Sequence, residues 1–143
     1  MKQQTLQTLQ ADYTVFYHTM RDFHWNVTGP FFFTLHEQFE KLYRFAELTT
    51  DRLAERLRAL TYRPLRHVHA ILEFSRIPEH DAPVSADAMV DQTLDHLNHL
   101  NGSLTEALNA FNDDPVTADL LINILEEQEK FRWMLDAFRA TSP

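Results

Sequence analysis

Glycine and proline interrupt this chain at so few places that nearly everything between them is long enough to be helix. The breakers fall at Gly29-Pro30, Pro64, Pro78, Pro83 and Asp114-Pro115, and they leave segments of helical length. The periodicity within those segments is helical as well. Leu35, Phe39, Leu42, Ala46, Leu53, Leu57 and Leu60 follow three- and four-residue steps, the mark of one buried helix face. Thr34 and Glu37 read as a capping box, so this second helix is predicted to run from Thr34 to the Thr61-Tyr62-Arg63-Pro64 break. A first helix is predicted over about 3–27, with Leu6, Leu9, Tyr13, Phe16, Tyr17, Met20 and Phe23 on its apolar stripe. Ser85 caps a third to about 112, and Asp114 with Pro115 at the first helical position starts a fourth to about 139. Residues 67–75 read as a short helix in the long connection, and no segment reads as a strand. The pattern describes an all-α four-helix bundle with a long crossover between helices two and three. A coiled-coil rod is the competing architecture, against which the prolines and the heavy phenylalanine content argue.

Composition narrows the functions open to such a bundle. At 143 residues the chain is expected to form a single domain, 1–143. A chain of that size buries roughly 70% of its unfolded surface, so it needs no staple. The absence of Cys excludes disulfides and thiolate metal sites, and two glycines cannot build a dinucleotide fingerprint or a P-loop. A net charge of −8 argues against a general binder of nucleic acid or anionic membrane. No run approaches the ~18 apolar residues of a membrane span, and MKQQTLQTLQ lacks the basic and apolar regions of a signal peptide. The chain is therefore expected in the cytoplasm, and the Asn26-Val27-Thr28 sequon is read as coincidental. Eight histidines in an acidic chain are the anomaly.

The second helix carries two pairs of metal-ligand type at i, i+4: His36 with Glu40, and Asp51 with Glu55. Each pair shares a face, but Glu40 and Asp51 stand about 16 Å apart along the axis, so one helix cannot close a site on itself. His36 and Glu55 are equidistant from a point between Phe45 and Ala46, and so are Glu40 and Asp51. An antiparallel partner related by a two-fold axis through that point would bring His36 opposite Glu55, and Glu40 opposite Asp51, giving two equivalent sites. His24 lies six residues before Pro30 and His36 six after, so a hairpin of the first two helices would join the imidazoles. Two His and three carboxylates suit a first-row ion such as Fe(II), Mn(II) or Zn(II) rather than calcium. Interhelical salt bridges and solvated helix charges are the alternative reading of the same residues.

The run from His24-Trp25-Asn26-Val27-Thr28-Gly29-Pro30 through Phe33-Thr34-Leu35-His36-Glu37 to Asp51-Arg52-Leu53-Ala54-Glu55-Arg56 resembles the Dps family, the miniferritins. The likeness continues through Arg58-Ala59-Leu60, Ile71-Leu72-Glu73-Phe74-Ser75, Thr117-Ala118-Asp119-Leu120-Leu121, Glu129-Lys130 and Trp133-Met134-Leu135. The successive spacings 12, 4, 11 and 4 from His24 to Glu55 match the family's ferroxidase ligands. This resemblance implies a ferritin-like bundle assembled as a hollow dodecamer, with a di-iron centre at each two-fold interface. His24, His36 and Glu40 would come from one subunit, and Asp51 and Glu55 from its mate. It implies oxidation of Fe(II), with hydrogen peroxide preferred over dioxygen, and storage of ferric oxyhydroxide in the cavity. Glu40 stands where the family has Asp, and Thr61-Tyr62 replaces a Gly-Gly. The Glu-x-x-His motifs of larger ferritins are absent, which favours the intersubunit site.

Further readings attach to that resemblance. Trp25, beside His24, is either a trap for stray oxidising equivalents or an interface packing residue. Asp114 and Asp119 fall where the family lines the pore through which iron enters, although acids also belong at helix N-termini. His96 and His99 are i, i+3 with no third ligand nearby and read as exposed or polar-packed. His67 and His69 are expected on alternate faces, His80 solvated, and His18 across the helix from His24. DNA compaction is the alternative function: DNA-binding members often use basic tails, whereas the first twenty residues here carry a single base, Lys2. DNA binding is therefore not expected. A helical scaffold that holds no metal is the third reading.

Overall fold

The computed structural model describes residues 1–79, 81 and 85–140. Five helices follow one another: α1 (Lys2–Asn26), α2 (Phe32–Ala59), α3 (Val68–Phe74), α4 (Ala86–Ala110) and α5 (Pro115–Arg139). No strand occurs among the described residues, and no described helix is long and apolar enough to cross a membrane. Helices α1 and α2 form an antiparallel hairpin and α4 and α5 a second, while the short α3 lies in the crossover against α1. Leu6, Phe16, Phe39, Leu53, Leu97 and Leu121 belong to the one buried cluster that joins the four long helices. The predicted stripe of α2 is buried from Leu35 to Leu57, with Leu60 packed at its edge.

Local chemistry accounts for most helix ends. The Ser85 side chain accepts from the Ala88 N–H, and Asp114 accepts from the N–H groups of Val116 and Thr117 with Pro115 behind it, as their sequence context predicts. The start of α2 differs from expectation. It begins at Phe32 behind Phe31, with no side-chain cap, so Thr34 lies inside the first turn rather than at the N-cap. The turn is responsible: Gly29, at φ 110, accepts the Phe32 N–H at 3.1 Å, which satisfies an early donor without a hydroxyl. Phe32, the first residue of the helix, is half-buried against the core cluster.

Asp12 ties the crossover down. Its fully buried carboxylate accepts from the Arg76 N–H at 2.6 Å and the Ser75 hydroxyl at 3.1 Å, with His99 Nε2 at 3.5 Å from its other oxygen. His96 is buried rather than exposed and meets Phe16 edge-on. His67 and His69 also depart from expectation, their rings stacking 5.4 Å apart. His67 is extended at the start of α3, so helical alternation does not apply to it. His18 is exposed, and His80 lies outside the described residues.

Candidate metal centre

The α1–α2 hairpin brings the C-terminal turn of α1 against the N-terminal turn of α2. His24 and His36, symmetric about Pro30, meet there with rings stacked at 3.8 Å and an interplanar angle of 12°. Each ring donates its Nδ1–H to the backbone carbonyl of the other residue, at 2.7 Å in both directions. A carbonyl only accepts, so both Nδ1 atoms carry a proton, and the lone pair of a neutral ring is then the one on Nε2. Backbone carbonyls commonly orient metal-ligating imidazoles in this way. Phe32 stacks on His36 at 4.9 Å and Tyr43 meets His24 edge-on at 5.4 Å, so the pair is held from both sides. His24 is buried.

Glu40, one turn beyond His36, completes this end. Its Oε1 lies 3.8 Å from His24 Nε2 and its Oε2 lies 3.4 Å from Arg44 Nε. Asp51 and Glu55 are elsewhere on the same helix: both are exposed, and neither side chain has a hydrogen bond or ion pair among the described residues. An eleven-residue separation on a straight helix keeps Asp51 about 16 Å from Glu40 along the axis. Three of the five predicted residues are thus gathered and two are not. Among the described residues, no group of three or more His, Asp or Glu of this single chain is disposed to enclose an ion.

The remaining candidates are distributed as follows. Trp25 is exposed, with the Arg21 guanidinium 4.7 Å from its ring centroid. Asp114 is occupied as the α5 cap and by Arg56, whose Nη2 lies 3.2 Å away. The Thr117 hydroxyl and backbone N–H, then Arg56, lower its pKa to about 2. Asp119 is exposed and accepts from Asn123 at 3.3 Å, in a shallow groove between α2 and α5 that Glu55 also lines. Sequence reasoning missed Phe32, Tyr43 and Arg44. Arg44 was accessible as the residue four after Glu40 and Phe32 as the residue four before His36, whereas the contact of Tyr43 with His24 depends on how the two helices cross.

Known proteins place this geometry in context. Residues 3–141 match the family model for the ferritin-like domain. The chain is 36% identical over 143 residues to DNA protection during starvation protein 2 of Bacillus anthracis, covering 96% of this chain and 98% of the relative. It is 42% identical over 130 residues to the DNA protection during starvation protein of Brevibacillus brevis, covering 90% and 87%. Among solved structures, a Dps protein from Bacillus brevis superposes with a TM-score of 0.94 at 39% identity, covering 97% of this chain and 95% of that one. The Dps protein of Vibrio cholerae O1, described as a ferritin-like diiron-carboxylate protein, gives 0.93 at 33% identity, covering 97% and 89%.

Proposed function

Because this chain belongs to the Dps family of ferritin-like proteins, we propose that it oxidises Fe(II) at a di-iron centre shared between two subunits and stores the ferric product in a hollow oligomer, a dodecamer. The single observation that carries this reading is the reciprocal exchange of Nδ1–H bonds between His24 and His36. It leaves Nε2 of each ring for a ligand, that of His24 lying 3.8 Å from Glu40 Oε1, a half-site for a first-row cation. Asp51 and Glu55 of a two-fold mate supply the other half.

Iron is the substrate. Two Fe(II) and one hydrogen peroxide, with two protons, yield two Fe(III) and two water molecules. Delivering both electrons from one site avoids the one-electron cleavage that releases hydroxyl radical. The chain's part is placement and charge. Three carboxylates favour Fe(III) over Fe(II), and two neutral imidazoles keep the donor set from becoming wholly anionic. Trp25, exposed one residue from His24, can surrender an electron to an equivalent that escapes. Of the two acids proposed for the pore, Asp119 has the freer carboxylate.

Protection of DNA, the role in the relatives' names, follows from removal of iron and peroxide without contact between protein and DNA. Anaerobic titration of the apo-protein with Fe(II), followed by peroxide, should give two irons per subunit and a rise in Fe(III) absorbance; absence of both removes the reading. Mixed oligomers of His36→Ala and Asp51→Ala subunits distinguish a shared site from a private one. A shared site predicts partial recovery, because one of the two sites in each mixed pair draws its His36 and its Asp51 from unaltered residues; a private site predicts none.

A further inference from the structure

We propose that Arg44 is a placeholder for the second metal ion, setting the affinity of that position through the outer oxygen of Glu40. This inference rests on the di-iron reading above. The two oxygens of Glu40 have different neighbours: Oε1 faces His24 Nε2 at 3.8 Å and Oε2 faces Arg44 Nε at 3.4 Å. A first ion between His24 and Glu40 needs only Oε1. A second ion held through the same carboxylate would need Oε2, beside which the guanidinium already lies.

Two terms then act on the second ion alone. Arg44 must leave Oε2, and a single positive charge stays tethered near an incoming dication. In the single chain the pair is largely exposed, with side-chain accessibilities of 64% for Arg44 and 40% for Glu40, so the first term is small there. Repulsion between a guanidinium and a dication about 6 Å apart in a water-like dielectric is the larger. Together they weaken the second step by between about threefold and tenfold. The arrangement has a use in the empty protein: Arg44 holds Glu40 near the histidines and offsets its charge. In the single chain its stem is not pinned: apart from Glu40, its partner among the described residues is the Tyr43 ring, 5.5 Å from the guanidinium carbon to the centroid.

The test is calorimetric titration of the assembled apo-protein with Zn(II), comparing the wild type with Arg44→Gln and Arg44→Lys. Arg44→Gln should tighten the weaker of the two Zn(II) steps by about threefold to tenfold and leave the stronger one unchanged. Arg44→Lys, which keeps the charge, should stay near wild type. Raising salt from ~50 to ~500 mM should narrow the gap between wild type and Arg44→Gln, since exposed charges are screened. Should glutamine disturb assembly, Arg44→Met keeps the aliphatic stem over Tyr43 and removes only the charge. Two unchanged steps, or a weaker second step, in the neutral variants overturn the inference while leaving the shared centre intact. A wild-type protein that takes up no Zn(II) overturns the centre itself, and the role of Arg44 with it.

Discussion

Thr61 carries the clearest local strain in the chain. Its φ of 65 puts a β-branched residue in the left-handed region, where Cβ crowds the backbone. The end of α2 demands it. The Tyr62 N–H reaches the Leu57 carbonyl at 2.8 Å and the Thr61 N–H reaches the Arg58 carbonyl at 3.0 Å, a closure that ordinarily uses glycine at this position. Thr61→Gly is therefore expected to raise stability by about 0.5–1 kcal/mol after allowing for the added freedom of the unfolded chain, read as a higher urea midpoint at unchanged slope. A lower midpoint would mean that the bond from the Thr61 hydroxyl to the Leu60 carbonyl, 2.6 Å long, outweighs the strain. At this same scale, the meeting of His24 and His36 was legible in the sequence because spacing about a turn fixes which positions face each other. The exchange of Nδ1–H bonds was not, because it depends on the rotation of two rings against carbonyls of opposing helices. Arg44 is an intermediate case: its spacing from Glu40 is visible, but Lys41 and Glu37 make a competing pair at 3.3 Å on the same helix.

At the scale of the element, caps separate what sequence decides from what it leaves open. Asp114 is hydrogen-bonded by the Thr117 hydroxyl and backbone N–H and paired with Arg56, and its pKa lies near 2 against an ordinary 3.8. A carboxyl with a depressed folded pKa contributes stability that is complete above the ordinary value and is lost as the pH falls through the folded one. Asp114→Asn should therefore flatten the fall of the thermal midpoint between about pH 4 and pH 2 relative to wild type. Parallel curves for the two proteins would show that the cap and the Arg56 contact carry no pH-linked stability. Ser85 and Asp114 were readable because a side-chain oxygen followed by a helical pattern needs nothing else. Thr34 has the same local credentials and lost to its neighbours. The Gly29 carbonyl satisfies the Phe32 N–H, and the ring of Phe32 stacks on His36 and packs against the core.

At the scale of the whole molecule, charge decides what the protein can touch. Twelve copies at −8 each, in the proposed dodecamer, would carry about −96. Lys2, the single base in the first twenty residues, is bound to Asp113 at 2.6 Å and lies over the Phe111 ring, which ties the start of α1 to the α4–α5 turn. No DNA retention is expected in a mobility-shift assay at neutral pH, even at low salt, because too few cations are available to displace counterions from phosphate; a shifted band would reverse that expectation. The sequence by itself determined the five helices, most of their ends and the pairing of His24 with His36, because breakers, periodicity and symmetric spacing are local quantities. The tertiary structure alone decided that Asp12 would be buried to anchor the crossover and that Tyr43 would meet His24 edge-on across the hairpin. Each of those depends on where one helix crosses another, and a crossing is fixed by the packing of a whole face rather than by any one residue on it.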